Sequence, residues 1–173
     1  MQAMVPVLET ERLTLRAPRV EDMTLWTALM AAPPFEEGPE DAWYGFVGYS
    51  AGWMLYGHGL WSLERRADGA LVGFVLLGLE WEDEEPEIGW SLASEARGQG
   101  YATEAARVVL GHAEALIGVG KTVSYVDPTN PASAAVAQRL GAQRDLMEEA
   151  RIAEVEGSSP QVWRHTPDAG ARQ

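Results

Sequence analysis

Cysteine is absent from the 173-residue sequence. A disulfide framework, a thiolate metal site and a thiol nucleophile are therefore excluded. Long apolar segments are absent too, because no run reaches the roughly 18 residues that a membrane-spanning helix needs. The N-terminal segment Met1–Pro6 lacks both the basic and the apolar stretch of a signal peptide. These absences predict a cytoplasmic protein that has no membrane partner.

Basic residues are few, since 13 lysines and arginines stand against 26 aspartates and glutamates, which gives a formal net charge of −13. Such a charge repels a phosphate backbone, so nucleic acid is not expected as a partner. Two interpretations of the acidity stay open: it keeps the protein in solution, or it attracts a cationic amine substrate. The three histidines show no spacing typical of metal ligands, and no metal is predicted.

The chain has the size and composition of one compact domain. With 46% hydrophobic residues it can bury a core without disulfides or metal. No repeat, low-complexity stretch or linker divides it, which favours a single mixed α+β domain. Periodicity predicts strands at 12–17, 60–65, 71–79, 87–92 and 122–126, helices between Pro18 and Pro33 and at about 39–56, 100–117 and 133–140, and a closing hairpin of 143–149 with 161–164.

Two glycines, Gly98 and Gly100, lie between the predicted strand 87–92 and the long helix that follows. Glycine lets the backbone approach a ligand closely, and the first N–H groups of a helix favour an anion, so a pyrophosphate fits best. A nucleoside-triphosphate loop would need Lys and then Ser or Thr after Gly100, where Tyr101 stands. A dinucleotide fingerprint would need Gly or Ala in place of Thr103. An ordinary helix start that uses glycine for its turn stays open as an alternative.

The glycine turn belongs to a longer pattern. Arg97-Gly98-Gln99-Gly100-Tyr101-Ala102 resembles the signature of the GNAT acyltransferase family, which is Gln or Arg, two residues, Gly, one residue, then Gly or Ala. Glu87-Ile88-Gly89-Trp90 resembles the preceding strand of that family, and Asn130-Pro131-Ala132-Ser133 with Leu140-Gly141-Ala142 resembles its second motif. The segments 11–16 and 162–164 are similar to the branch of ribosomal-protein N-terminal (alanine) acetyltransferases. The resemblance covers residues 7–166, for which we expect a single GNAT-like domain, with 167–173 as a disordered tail.

The resemblance implies an α+β fold with a GNAT-like mixed central sheet, in which the mid-chain parallel strands 87–92 and 122–126 splay apart, flanked by helices. It implies an N-acetyltransferase that transfers an acetyl group from acetyl-CoA to a primary amine by direct attack in a ternary complex. The amine would belong to a protein or peptide N-terminus or to a small molecule, and a homodimer is one option. The residues that the resemblance assigns to acetyl-CoA binding are Trp90, Ser91, Leu92, Arg97, Gly98, Gln99, Gly100, Tyr101, Ala102, Asn130 and Ser133.

The resemblance also implies catalytic roles for Glu87 and Ser133. An alkyl ammonium has a pKa of about 10, so a base must remove a proton before the amine can attack. Glu87 stands where some family members carry a catalytic glutamate, or it is simply the last charge of an acidic run. Many members protonate the leaving thiolate with a tyrosine seven residues after the motif asparagine, where this chain has Ala137, which leaves Ser133 or water. Asn130 and Ser133 are alternatively helix caps, and a non-catalytic acyl-CoA-binding module is the second hypothesis.

Overall fold

The computed structural model describes residues 5–80, 85–117, 122–156 and 159–166. Within these ranges, eight strands form one sheet in the order β1-β2-β3-β4-β5-β6-β8-β7, and only β5 and β6 run parallel. The strands are β1 Leu8–Glu9, β2 Leu13–Arg16, β3 Leu60–Arg65, β4 Leu71–Gly78, β5 Glu87–Leu92, β6 Thr122–Val126, β7 Gln143–Arg144 and β8 Gln161–His165. The helices are α1 Met23–Met30, α2 Pro39–Leu55, α3 Tyr101–Ile117, α4 Pro131–Arg139 and α5 Leu146–Glu156.

Most of the predicted elements are confirmed within a few residues of their ends. β3 and β4 form the predicted antiparallel hairpin, whose connection contains Asp68-Gly69. α1 ends ahead of Pro33-Pro34, and α2 begins with Pro39, a position at which a missing N–H breaks no helical hydrogen bond. These boundaries follow from local chemistry, namely turn residues and prolines.

Apolar layers cover both faces of the sheet, because successive side chains of a strand point to opposite faces. α3 packs on one face through Ala105 and Val109. α1 and α2 pack on the other, where Trp26, Phe46 and Phe74 form a cluster with ring centroids 5.3 to 6.3 Å apart. The sheet is therefore enclosed between α3 and the α1–α2 pair.

β5 and β6 pair at one position and then separate. Glu87 lies opposite Val123, whose N–H donates to the Pro86 carbonyl at 3.1 Å. One step further, the Ser124 hydroxyl donates to the Ile88 carbonyl at 2.6 Å, so a side chain replaces the backbone ladder. No second residue pair joins these strands among the described residues. The predicted mixed sheet with splayed parallel strands is confirmed.

The end of the chain corrects one prediction. The strand predicted over 143–149 is wrong beyond its first two residues, because only β7 pairs with β8 and a helix, α5, follows. The Asp145 side chain accepts the Glu148 N–H at 3.1 Å, and its carbonyl accepts the Glu149 N–H at 3.0 Å. An aspartate that caps a run of good helix formers therefore outweighs the short strand-like pattern.

Across the described ranges, no helix is both long and apolar enough to cross a lipid bilayer. The predicted tail, 167–173, lies outside the described residues, as do 82–84 of the acidic connection before β5. The domain limits at 7 and 166 stay predictions.

Candidate active site

Two cavities meet where β5 and β6 separate. The larger, of about 1360 Å³, is lined by residues of the 97–104 segment and by α4, and we call it the glycine-turn cleft. The smaller, of about 520 Å³, is lined by parts of α1, α2, β4, β5 and β6, and we call it the carboxylate cavity. The two cavities are adjacent, because they share lining residues. The residues that line both are Pro34, Phe35, Trp90, Ser91, Asn130 and Ser133.

The shape of the glycine-turn cleft depends on Gly98 and Gly100. Their φ angles are +74° and +83°, in the left-handed region that glycine adopts without strain. A Cβ added to Gly98 would meet no atom within 4 Å, so the space beside it is open. The Glu104 N–H donates to the Gly100 carbonyl at 3.0 Å as α3 begins. The N–H groups of 101–103 precede that bond, and with the helix dipole they form a site suited to an anion.

Arg12 and Glu104, which are 92 residues apart, hold the glycine turn in place. The Glu104 carboxylate accepts the Arg12 N–H at 2.9 Å, the Arg12 Nε at 2.7 Å and the Thr10 hydroxyl at 2.6 Å. Arg12 Nη1 donates to the Gln99 carbonyl at 2.9 Å, and the guanidinium lies 4.6 Å from the ring centre of Tyr101. Burial alone would raise the pKa of Glu104, but the hydrogen bonds from Thr10 and Arg12 lower it. Sequence reasoning missed this support, because no local pattern links residues so far apart.

Three arginines add positive charge to the glycine-turn cleft: Arg97, Arg107 and Arg139. Arg97 is exposed, and its Nε donates to the Leu92 carbonyl at 3.1 Å. Arg107 Nη2 donates to the Arg139 carbonyl at 3.1 Å and so links α3 to α4. The cleft therefore combines cationic side chains with a helix N-terminus, and both attract phosphate.

Most of the sequence-predicted site residues lie together. All of the predicted acetyl-CoA-binding residues except Tyr101 line the glycine-turn cleft. The Tyr101 side chain is buried in the core beneath α3, so only its backbone is available to the turn. Of the two predicted catalytic residues, Glu87 lines the carboxylate cavity and Ser133 lines both cavities.

The edge of β5 beyond Glu87 faces the gap between the strands. The Ala93 N–H donates to the Val72 carbonyl at 3.0 Å, and ladder bonds to one neighbour occur at every second residue of an antiparallel strand. Ser91 therefore directs its N–H toward β4, whereas Trp90 and Leu92 direct theirs toward the gap. The Trp90 N–H thus lies at the junction of the cavities, and the Leu92 N–H lies on the side of the glycine-turn cleft.

The second predicted motif forms the start of α4. Asn130 Oδ1 accepts the Ser133 N–H at 3.1 Å, which makes Asn130 the N-cap of the helix. Both residues also line the two cavities, so the cap and the candidate site coincide. Ala137, at the position compared with the family tyrosine, is fully buried in a cluster with Val126 and Trp163. That position faces the core in this chain.

Glu87 is the first residue of β5 and lies on the carboxylate-cavity side of the gap. Its Oε1 accepts the Tyr125 N–H from β6 at 3.4 Å. It lines the same cavity as Trp90 and Ser91, which follow it along the strand. A carboxylate at this place can accept a proton from an amine that occupies the cavity.

The inner face of α2 supplies a second group of polar residues to the carboxylate cavity. Asp41, Gly45 and Tyr49 are spaced by one helical turn and share this face. The Tyr49 hydroxyl donates to the Glu80 carboxylate. Burial, the bond to Glu80 and nearby acidic charges raise the pKa of Tyr49, so the phenol stays protonated. Burial likewise raises the pKa of Glu37, and the charges of Asp41 and Glu80 raise it further.

Behind the gap, Ser124 contacts a buried histidine. Ser124 Oγ lies 2.9 Å from His165 Nε2, and Nδ1 of His165 has no hydrogen-bond partner among the described residues. Because the Ser124 hydroxyl donates to the Ile88 carbonyl, its oxygen is left to accept from Nε2–H. Burial lowers the pKa of His165 to about 4, so the ring is neutral near neutral pH.

Comparison with known proteins identifies the family. Residues 12–143 match the family described as "Acetyltransferase (GNAT) domain". The chain is 35% identical over 88 residues to the "Uncharacterized protein YkkB" of Bacillus subtilis (strain 168). This match covers 50% of the chain and 51% of the length of that relative. An acetyltransferase from Agrobacterium tumefaciens str. C58 has a similar structure, with a TM-score of 0.81 and 32% identity over 95% of this chain and 96% of that one. A putative ribosomal-protein-serine acetyltransferase from Vibrio cholerae, at 18% identity and TM-score 0.69 over 94% and 98% of the two chains, shares the fold.

The chain therefore belongs to the GNAT acetyltransferase family. The resemblance to the GNAT family stated from the sequence is confirmed. A ribosomal-protein acetyltransferase is among the proteins that share the fold. Enzymes of this family transfer acyl groups from acyl-CoA to amines, so the predicted class, an acyl-CoA-dependent N-acyltransferase, is confirmed at the level of the family.

Proposed function

We propose that this chain transfers an acetyl group from acetyl-CoA to a primary amine by direct attack in a ternary complex. The observation that carries the proposal is the junction of the two cavities at the separated strands β5 and β6. The glycine-turn cleft receives acetyl-CoA, and the carboxylate cavity receives the amine. The thioester and the amine then meet beside Trp90 and Ser91, which line both cavities.

The residues present fit acetyl-CoA. Backbone N–H groups of 98–102 hold the pyrophosphate, and Arg97 with the other two arginines of the cleft supplies positive charge. The gap between β5 and β6 takes the pantetheine arm, whose amide groups match the Trp90 backbone, which faces the gap and pairs with no described residue of β6. Asn130 and Ser133 lie on the opposite side of the gap, at the start of α4.

The proposal assigns a group to each chemical step. Glu87 takes a proton from the bound ammonium, directly or through water, and the amine nitrogen then forms a C–N bond to the thioester carbonyl carbon. The Trp90 N–H stabilises the negative charge that develops on the carbonyl oxygen. As the C–S bond breaks, the nitrogen gives up its second proton and the sulfur gains one through Ser133 or water, which needs little help because a thiol has a pKa of about 8.5. The products are an amide, the free thiol of CoA and one proton.

A non-catalytic acyl-CoA-binding module is the competing function, because Ala137 stands where many family members have a tyrosine and it lies in the core. The experiment that separates the two mixes the protein, acetyl-CoA and a pool of amines that includes peptides, and measures free thiol and acetylated product. Amine-dependent thiol release with a matching amide supports the proposal. Binding of acetyl-CoA with no thiol release for any amine would favour the module.

A further inference from the structure

In the proposed mechanism the acceptor amine binds in the carboxylate cavity, whether or not the acceptor carries further charges. An amine that reaches a thioester beside Trp90 and Ser91 from the side opposite the glycine-turn cleft must occupy it. Its volume of about 520 Å³ lies within the range of small-molecule sites, roughly 300–1,000 Å³. The chemistry of its walls therefore selects the amine.

The two cavities differ in charge. Acidic side chains supply the charge of the carboxylate cavity, and no Lys, Arg or His is among its described lining residues. The glycine-turn cleft holds three arginines, although acidic residues line part of it as well. The acceptor side thus attracts cations, while the neighbouring cleft offers partners for phosphate. The acidic lining residues are Glu37, Asp41, Glu80, Glu87 and Asp127.

The carboxylates act along the length of the cavity. Glu87 lies beside the gap. Glu37 lies just before α2, and Asp41 lies in the first turn of that helix. Tyr49 lines the same cavity, and its pKa is raised first by burial, then by its hydrogen bond to Glu80, and further by the charges of Glu80, Glu87 and Glu37. Acidic side chains therefore line the cavity both beside the gap and at the start of α2, and together they make a negative field.

A single reacting ammonium does not match this field. The reacting amine must lose its proton before it attacks, so it is neutral when the C–N bond forms. A substrate with one amine therefore carries no positive charge at the moment of attack. A second, protonated amine keeps a positive charge near Glu37 and Asp41 through the whole reaction. Trp26, Phe74 and Leu76 also line the cavity and give it an apolar wall for methylene groups.

We propose that the acceptor is a small aliphatic diamine or oligoamine. One of its amines is acetylated beside Glu87, while a second, protonated amine binds among Glu37, Asp41 and Glu80. This inference rests on the proposed function and names the substrate class of the same site. An amine that carries a carboxylate is repelled by the same residues.

The test compares three acceptors of similar length that share one primary amine and differ at the other end. They are 1,4-diaminobutane, which ends in a second amine, butylamine, which ends in a methyl group, and 4-aminobutyrate, which ends in a carboxylate. We expect kcat/KM per amine to be about tenfold or more higher for the diamine than for butylamine, and lowest for the amino acid. Added salt should narrow these differences, because it screens exposed charges. Equal kcat/KM for diamine and butylamine, or preference for a peptide amine without a second positive charge, would overturn the inference.

The variant Asp41→Asn tests the assigned carboxylates. It should reduce the preference for diaminobutane over butylamine by about tenfold. Asp68→Asn is the matched control, since Asp68 pairs with Arg65 in the β3–β4 connection and lines neither cavity. Thermal unfolding checks that both variants fold. An undiminished preference in folded Asp41→Asn would overturn the inference and leave the proposed function intact, whereas absence of thiol release with every amine would overturn both.

Discussion

Gly98 and Gly69 have nearly the same backbone conformation but different surroundings. Their φ angles are +74° and +72°, and a Cβ at either position meets no atom within 4 Å. Aspartate at either position should therefore add a similar strain, of about 1 kcal/mol. Only Gly98 lines the glycine-turn cleft, so Gly98→Asp places a carboxylate among the N–H groups assigned to phosphate. We expect calorimetry to show a loss of CoA affinity of about tenfold or more for Gly98→Asp and none for Gly69→Asp.

Gly100→Asp is a weaker test of the same turn. A Cβ at Gly100 would lie 3.4 Å from Nη2 of Arg12, so the new carboxylate could pair with that guanidinium. Urea unfolding checks that both variants are folded. If folded Gly98→Asp and Gly69→Asp bind CoA with equal affinity, the glycine turn is not part of the CoA site.

Glu87→Gln tests the assigned base. Glutamine keeps an oxygen that can accept the Tyr125 N–H but removes the charge. We expect kcat to fall about 100-fold or more, with CoA affinity nearly unchanged because Glu87 does not line the glycine-turn cleft. The loss should shrink at high pH, where free amine no longer needs a base. If Glu87 has only a structural role, the substitution would instead lower the melting temperature and change all kinetic constants together. If kcat stays at the parental value at every pH, another group accepts the proton.

At the scale of helices and strands, the pairing of β6 with β8 gives a prediction for stability. His165 lies opposite Thr122 in this pair, is only 6% exposed, and has its pKa lowered by burial to about 4. An unfolded histidine has a pKa of about 6.5, so between these values the unfolded chain binds the proton and the folded chain does not. Stability should therefore decrease as pH falls from about 6.5 toward 4, by at most about 3 kcal/mol from this residue.

The variant His165→Gln lacks this titration. Urea unfolding between about pH 4.5 and 7 should show a shallower acid-side decrease than in the parent, by about 2 kcal/mol over that range. The matched control His112→Gln removes an imidazole that packs edge-on against Trp61 but leaves His165 in place, so the decrease assigned to His165 should remain. An unchanged slope in His165→Gln would contradict the assignment.

The elements that sequence predicted are those with local signals. The hairpin of β3 and β4, the strand β5 and the start of α3 are marked by turn residues, alternation and glycines within a few positions. α5 was missed because its capping residue, Asp145, directly follows a short strand and the two signals overlap. Arg12 with Glu104, and Tyr49 with Glu80, meet only when distant elements pack together, so no local pattern indicates them.

At the scale of the whole molecule, the formal charge is −13, and the two cavities differ in the charges that line them. The sequence left two interpretations of this acidity open, and the charge difference between the two cavities favours a cationic substrate as one of its functions. Homodimer formation and cytoplasmic location stay predictions.

Direct transfer within a ternary complex is tested most directly by a matrix of initial rates in which acetyl-CoA and diaminobutane are both varied and free thiol is followed. Direct attack predicts double-reciprocal lines that intersect, and no thiol release until the amine is added. Ser133 is an oxygen nucleophile at the junction of the cavities, so an acyl-enzyme is the chemical alternative. Parallel lines, with a burst of thiol from acetyl-CoA alone, would contradict direct transfer.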